Sequence, residues 1–261
     1  MVTVNVLAFF AHPDDETMLA GGTLALLAQA GAQVHYLCAT RGEGGEVGEP
    51  PLCDLAELGA VRESEMVQAV QALGGRSLTF LDYLDPRVGP EDQLFAYTDN
   101  LTFLAAQVAA SIRQFHVQAV LAHGANGEYG HPAHVLSHQA ARLAVESFWN
   151  QDNGGLRPVM YSVSAMHARH PRPRLANKDE PAHLVLDVTP VQQAKTQAAL
   201  SHRTQHALFV RRASQEAGRK LNVPEVIQLV ESLHRTFPAA PNLEQPDDEL
   251  VKLLLPWVLA G

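Results

Sequence analysis

Residues 4–10 (VNVLAFF) form a run of strand length that is apolar almost throughout. A strand with one face in water alternates apolar and polar side chains. One that does not alternate has to be covered on both faces, as in a parallel sheet held between two layers of helices. The chain then supplies the repeating units such a sheet needs. Residues 17–30 have helical composition, with Gly31 where the helix would end, and 33–40 (QVHYLCAT) read as a second strand. Residues 54–73 read as a long helix closed by Gly74-Gly75, 77–81 as a third strand, 101–115 as a helix, 117–122 as a fourth strand and 133–149 as a helix. Strands and helices alternating in this way give a parallel sheet with right-handed crossovers. The expected fold is α/β, a Rossmann-like, doubly wound, mostly parallel sheet with helices on both faces. Past residue 155, 159–166 and 183–188 look like strands and 191–209 like a helix. Weaker helical stretches follow Pro224 and Asp247, and a proline-rich connector covers 237–248. We expect a single domain over 1–261, with a core over 1–155 and a C-terminal strand/helix extension over 156–261.

Composition narrows the function. No apolar run approaches the ~18–20 residues of a membrane span. The first residues lack the basic start of a signal peptide and run directly into acidic side chains, which predicts a cytoplasmic protein with no membrane partner. Cys38 in a strand and Cys53 in a loop, the two cysteines of the chain, make neither a disulfide framework nor a cysteine zinc site. A formal charge of −9 leaves no basic patch for phosphates, so no nucleic acid is expected. The RHPRPR stretch at 169–174 is broken by prolines and reads as a solvated loop. The 13 histidines are the excess that asks for a cause, and they cluster near 123–138.

In open α/β sheets ligands bind beyond the carboxyl ends of the strands. Three strand exits are unusual here: 11–16, 41–51 and 123–134. The first reads Ala11-His12-Pro13-Asp14-Asp15-Glu16. It concentrates imidazole and carboxylate, donors that suit a borderline divalent ion, and Pro13 helps to end the strand. Two adjacent carboxylates need not point the same way, so one can bind metal while the other acts as a base. Alone, the motif divides evenly between a metal site and an acidic first turn of a helix. The second cluster, Glu128-Tyr129-Gly130-His131-Pro132-Ala133-His134, leaves another strand of the same sheet and favours the metal reading. The 41–51 exit (RGEGGEVGEPP) lacks the lysine ending of a phosphate loop and reads as a mobile loop bordering a pocket.

With these motifs the sequence resembles the LmbE-like (PIG-L) zinc deacetylases, which include N-acetylglucosaminyl deacetylases of mycothiol and bacillithiol biosynthesis. The resemblance rests on His12-Pro13-Asp14-Asp15-Glu16, Thr40-Arg41-Gly42-Glu43, Arg62, Glu65, Leu73-Gly74, Asp85, Tyr129-Gly130-His131-Pro132, His134 and His202-Arg203-Thr204-Gln205. It implies His12, Asp15 and His134 as ligands of one Zn2+ per chain, a donor set that iron or cobalt also suits. It implies Asp14 as the general base for water at the metal, and His131 stabilising the oxyanion, with Tyr129 adding a hydrogen bond. Arg62 and Asp85 are implied as groups that grip sugar hydroxyls. The implied reaction is removal of acetyl from an N-acetylglucosamine-type small molecule. The alternatives are an amidase acting on a thiol conjugate and a non-catalytic metal- or carbohydrate-binding relative. The sequence is compatible with a homo-oligomer. Ala133 stands where the family commonly has an aspartate that would orient and charge the first histidine.

The remaining histidines divide by context. His138, one turn beyond His134, reads as a hydrogen-bonded helix residue beside the site. For His123, at the end of the fourth strand, a supporting contact to the site competes with plain burial. His35, His116, His167, His170, His183 and His234 carry no pattern.

Overall fold

The structure is a computed structural model describing residues 3–150, 154–240 and 246–259. The middle of the 237–248 connector lies outside them. Along the core the elements are β1 (Asn5–Phe10), α1 (Asp15–Gln29), β2 (Gln33–Thr40), α2 (Leu58–Ala72), β3 (Ser77–Tyr83), α3 (Leu101–Gln114), β4 (Ala119–Ala122), a single turn α4 (Gly127–Gly130) and α5 (Pro132–Asn150). There follow β5 (Val159–Val163), β6 (Ala165–Met166), β7 (Asn177–Pro181), β8 (Leu184–Asp187), α6 (Gln192–Ser201), α7 (His206–Ala217), a short turn α8 (Val223–Val226), β9 (Val230–Phe237) and α9 (Glu249–Leu254).

The main sheet has seven strands in the order β3-β2-β1-β4-β5-β9-β8. Pairing is parallel from β3 through β5 and antiparallel on both sides of β9. The near-continuous apolarity of β1 now has its cause. Val6, Ala8 and Phe10 pack into one core with residues of α1, α2, α6 and α9, whereas Leu7, Phe9 and Ala11 pack into a second core with α3 and α5. Each face of the strand is buried, so polar alternation is forbidden. Connections from β1 run to one side of the sheet through β2 and β3, and to the other through β4 and β5. The two chain directions therefore part between β1 and β4, and a crevice opens above their carboxyl ends.

Three local expectations change. The 191–209 helix is two helices with a 3-10 turn, Arg203–Gln205, between them. His202 and Thr204 leave helical register because they are drawn to buried carboxylates, His202 Nε2 to Glu16 Oε1 at 2.9 Å and the Thr204 hydroxyl to Glu65 Oε2 at 2.7 Å. The stretch after Pro224 is one helical turn followed by the strand β9. Its buried positions include Glu231, paired with Lys195 Nζ at 2.6 Å, and Arg235, paired with Asp248, so an apolar strand pattern is absent from the sequence. The 159–166 strand breaks at Ser164, where φ is 54°, into β5 and β6.

Candidate metal centre and active site

The crevice at the split between β1 and β4 receives the side chains that follow both strands. After β1 the chain turns sharply at Asp14, whose φ of 112° lies in the left-handed region. This turn lets both Asp14 and Asp15 face the crevice while α1 begins at Asp15. The His12 N–H donates to Asp15 Oδ2 at 2.9 Å, and His12 Nδ1 lies 3.2 Å from the same oxygen. After β4, His123 is fully buried. Its Nε2 accepts from the Ala11 N–H at 3.1 Å, so the proton sits on Nδ1, which faces Glu128 Oε2 at 3.1 Å.

His134, at the start of α5, presents Nδ1 to Glu128 Oε2 at 2.6 Å. That bond fixes the tautomer and leaves the Nε2 lone pair facing Asp15 Oδ1 at 3.4 Å. Nε2 is buried and has no hydrogen-bond partner. An orphaned imidazole nitrogen aimed at a carboxylate is the arrangement a cation would complete. Two groups of three gather ligand atoms within 4.8 Å of one another, His12–His131–His134 and Asp15–His123–His134. The expected set of His12, Asp15 and His134 spans these two groups, with His134 common to both. The nitrogen and oxygen donors present fit zinc.

The electrostatics are those of a site built around positive charge. Burial works against ionised Asp15, yet His134, His123 and His12 hold its carboxyl well below the usual carboxylate range. Burial likewise opposes charge on His12, but Asp15 and Asp85 outweigh it and raise the imidazole to about 10. Burial lowers His134. Burial also pushes the Asp14 carboxyl up to about 7, against the pull of the Arg62 guanidinium.

His131 stacks on His134 with ring centroids 4.5 Å apart. Its Nδ1 accepts from the Ala133 N–H at 3.2 Å, which leaves the ring proton on Nε2. Burial, with His134 and His12 beside it, lowers its pKa to about 3. Tyr129 closes the rim, its ring 5.7 Å from that of His131 and 56% exposed.

Arg62 and Asp85 reach the site with other first contacts than sugar hydroxyls. Arg62 is buried and donates to Pro13 O, to Gly42 O at 2.9 Å and to Asp14 Oδ2 at 3.2 Å. It braces Asp14 against the glycine-rich loop. Asp85 Oδ1 lies 3.3 Å from His12 Nε2, and its Oδ2 accepts from the Gly44 N–H at 3.3 Å. The loop over 41–51 borders a cavity and packs closely on Arg62. A Cβ on Gly42, whose φ is 70°, would fall 2.2 Å from Arg62 Nη1, and Glu46 is held by Arg211 at 2.7 and 2.8 Å. His138 donates through Nδ1 to His123 O at 2.9 Å, as a neighbour of the site.

Sequence reasoning passed over three residues that organise this centre. Glu128 takes His123, His134, the Gly124 N–H at 3.0 Å and the Asn177 amide at 3.1 Å on one buried carboxylate. Asn177 comes from β7, far along the chain, and has no local signal. Glu16, in the first motif, accepts from the Asp14 N–H at 2.9 Å and meets His202. The acidic residue inside each histidine motif was the available clue.

The fold and this constellation define an α/β protein with a buried imidazole–carboxylate centre at the switch point of its sheet. The chain belongs to the PIG-L family (GlcNAc-PI de-N-acetylase), whose model matches residues 7–145. A 1D-myo-inositol 2-acetamido-2-deoxy-alpha-D-glucopyranoside deacetylase of Mycolicibacterium vanbaalenii is 30% identical over 233 residues, covering 78% of this chain and 82% of that one. For several other relatives of that name the match spans about half of their length. Bacillithiol does not occur in these names. Two solved structures share the fold. A 4-carboxy-2-hydroxymuconate hydratase from Pseudomonas putida has a TM-score of 0.59 at 21% identity, covering 92% of this chain and 99% of that one. An N,N'-diacetylchitobiose deacetylase from Pyrococcus horikoshii has a TM-score of 0.55 at 20% identity, covering 88% and 82%. Among the described residues no helix is long and apolar enough to cross a membrane.

Proposed function

We propose that this chain is a zinc-dependent N-deacetylase acting on an N-acetylglucosamine-type small molecule, with His12, Asp15 and His134 holding one ion. The observation that carries the reading is His134 Nε2, buried without a partner and aimed at Asp15 while Glu128 fixes the ring from behind. Family membership and the deacetylase names of the relatives support the choice of reaction.

When bound, zinc supplies Lewis-acid polarisation of the acetamide carbonyl and eases the ionisation of water. The protein's own groups do the rest. Asp14 takes the proton of the attacking water. A carboxyl raised to about 7 is basic enough to accept it near neutral pH, and Arg62 Nη2 at 3.2 Å holds it in place. The Nε2–H of His131, set by the Ala133 N–H on the opposite nitrogen, donates to the oxygen that gains charge as the carbonyl carbon becomes tetrahedral. Tyr129 covers that oxygen from the rim. The proton held on Asp14 then passes to the departing nitrogen as the C–N bond breaks, giving acetate and the free amine. Asp85 and the loop over 41–51 bound the chamber in which the sugar lies.

Amine release from a panel of N-acetylglucosaminyl conjugates, followed with and without a chelator, tests this. Activity should disappear with the metal and return on adding zinc. Protein that binds zinc at this centre yet releases no amine from any conjugate would sink the reading.

A further inference from the structure

Asp14 is held at its backbone and at its carboxylate, and one turn of the C-terminal half stands behind both holds. Its backbone has φ 112° and ψ −28°, a conformation that a residue with a Cβ seldom takes and that surrounding contacts have to maintain. Glu16 holds the main chain, its Oε2 accepting from the Asp14 N–H at 2.9 Å. Arg62 holds the side chain, its Nη2 donating to Asp14 Oδ2 at 3.2 Å. Each of these two groups is in turn fixed from the 3-10 turn that follows α6.

Glu16 is buried, and its second oxygen, Oε1, accepts from the Thr17 hydroxyl at 2.5 Å and from His202 Nε2 at 2.9 Å. Two donors on Oε1 set the plane of the carboxylate and turn Oε2 toward residue 14. His202 arrives from the end of α6 with its ring fully buried. Its Nε2 faces oxygens of Glu16 and Thr17 and therefore carries a proton, whereas Nδ1 is buried without a partner. An unpartnered buried nitrogen costs free energy that a leucine in the same space would not. What the histidine adds is its bond to Glu16. Thr204, two residues on, gives its N–H and its hydroxyl to Glu65, at 2.9 and 2.7 Å. Glu65 lies one turn beyond Arg62 on α2, so the turn also pins the stretch of helix from which the guanidinium reaches Asp14. Glu16, Glu65, His202 and Thr204 line neither of the two cavities that open on Asp14, so whatever they do there they do through Asp14.

Resting on the deacetylase reading, in which Asp14 is the base, we propose that His202 and Thr204 are positioning residues for Asp14. His202 acts through Glu16 on its main chain, and Thr204 acts through Glu65 and Arg62 on its carboxylate. Neither takes a proton in the reaction. Together they keep the carboxylate where the attacking water gives up its proton, and they make the C-terminal half of the chain a working part of a site whose reacting groups all lie before residue 135. A plain helix-start cap at Glu16 and plain packing of α6 on α2 would use the same contacts without any effect confined to turnover.

The test compares His202→Leu, which removes the donor to Glu16, with His202→Gln, which keeps an N–H on a side chain of similar reach. Thr204→Val and Thr204→Ser form the same pair for the hydroxyl and serve should His202→Leu fail to fold. With N-acetylglucosamine as substrate, His202→Leu and Thr204→Val should each lower kcat roughly 10- to 100-fold, the scale of a reacting group displaced by about 1 Å, with KM and zinc affinity within about twofold of native. The Gln and Ser variants should recover most of that loss. In Asp14→Asn, where the base is already gone, His202→Leu should lower kcat by less than about twofold further. Amide hydrogen exchange in the metal-free protein reads the hold without activity: the Asp14 amide should exchange at least about tenfold faster in His202→Leu, while the amides of β1 keep their native rates. Equal losses in the Leu and Gln variants, a kcat loss that persists in full in Asp14→Asn, or unchanged exchange at Asp14 overturns the proposal. If the native protein releases no amine from any N-acetyl sugar, the deacetylase reading fails, and exchange at Asp14 alone decides whether His202 holds it.

Discussion

Glu128→Gln isolates the group that organises the centre from behind. The native carboxylate accepts from four donors: His134 Nδ1 at 2.6 Å, His123 Nδ1 at 3.1 Å, the Gly124 N–H at 3.0 Å and the Asn177 amide at 3.1 Å. A carboxylate has only acceptor sites to give. An amide keeps one oxygen and turns a donor toward donors, so at least one partner loses its acceptor. Both His134 and His123 contact Oε2, the oxygen whose replacement by nitrogen faces them together. The alternative is a flipped amide, which faces nitrogen to Gly124 and Asn177 instead. A hydrogen bond to a charged group contributes about 1.5–3 kcal/mol. Losing one behind a ligand histidine should weaken zinc by about 10- to 100-fold. Competition against a chromophoric chelator measures that directly. Nitrogen NMR of the metal-free variant should show His134 no longer held as the Nδ1–H tautomer. Zinc affinity equal to the native value, with the tautomer unchanged, also in Glu128→Ala, where no flipped amide can keep an oxygen on the histidines, would refute the idea that Glu128 sets the ligand.

The neighbouring aspartates should separate. Asp14→Asn should keep zinc and lower turnover by about 100-fold or more, the usual scale of a general base, whereas Asp15→Asn should lose metal, as metal analysis of the purified variants would reveal. Lys195→Met should destabilise the fold by about 3–5 kcal/mol in denaturant titration, because it strands buried Glu231 without its cation. Stability should also fall in mild acid. Burial, with His234 and Arg235 nearby, lowers His183 to about 4, and its Nδ1 accepts from the Arg235 N–H at 3.0 Å. The folded state therefore binds fewer protons than the unfolded one between pH 6.5 and 4, so this contribution is present above the unfolded pKa and is lost as pH falls through the folded one. In thermal melts the native protein should lose stability more steeply between pH 6.5 and 4 than His183→Gln, which keeps an acceptor but does not titrate; equal slopes would refute the reasoning.

The fold was legible wherever burial on two faces forces composition. β1, β2 and β4 carry that mark, and α1 and α2 are closed by glycines that the sequence displays, Gly31 and Gly74. β9 was not legible because its buried polar positions are compensated by partners far away, Glu231 by Lys195 and Arg235 by Asp248. A strand stabilised by ion pairs does not look like a strand until its partners are known. The site divides in the same way. His12, Asp14, Asp15, His131 and His134 lie in two short motifs at strand exits, and the structure brings them into one crevice. Asn177 enters from a two-stranded sheet that no pattern announced, and Arg62 shows its bracing contacts only once Pro13 and Gly42 are in place.

Ala133 shows what a motif departure means physically. With an aspartate at that position, a side chain would be available to orient His131. Here the backbone N–H of residue 133 occupies His131 Nδ1 at 3.2 Å, and any residue but proline supplies that group. Orientation of the ring therefore survives the loss of the carboxylate, while its charge does not. His131 is left as a neutral donor, with its proton on Nε2 and its pKa lowered to about 3 by burial and by its histidine neighbours. The fold cannot make that distinction, since a hydratase shares it. It rests on which atom faces Nδ1, and in the proposed reaction it moves the burden of proton transfer to the leaving nitrogen onto Asp14, whose carboxyl is raised to about 7 by burial.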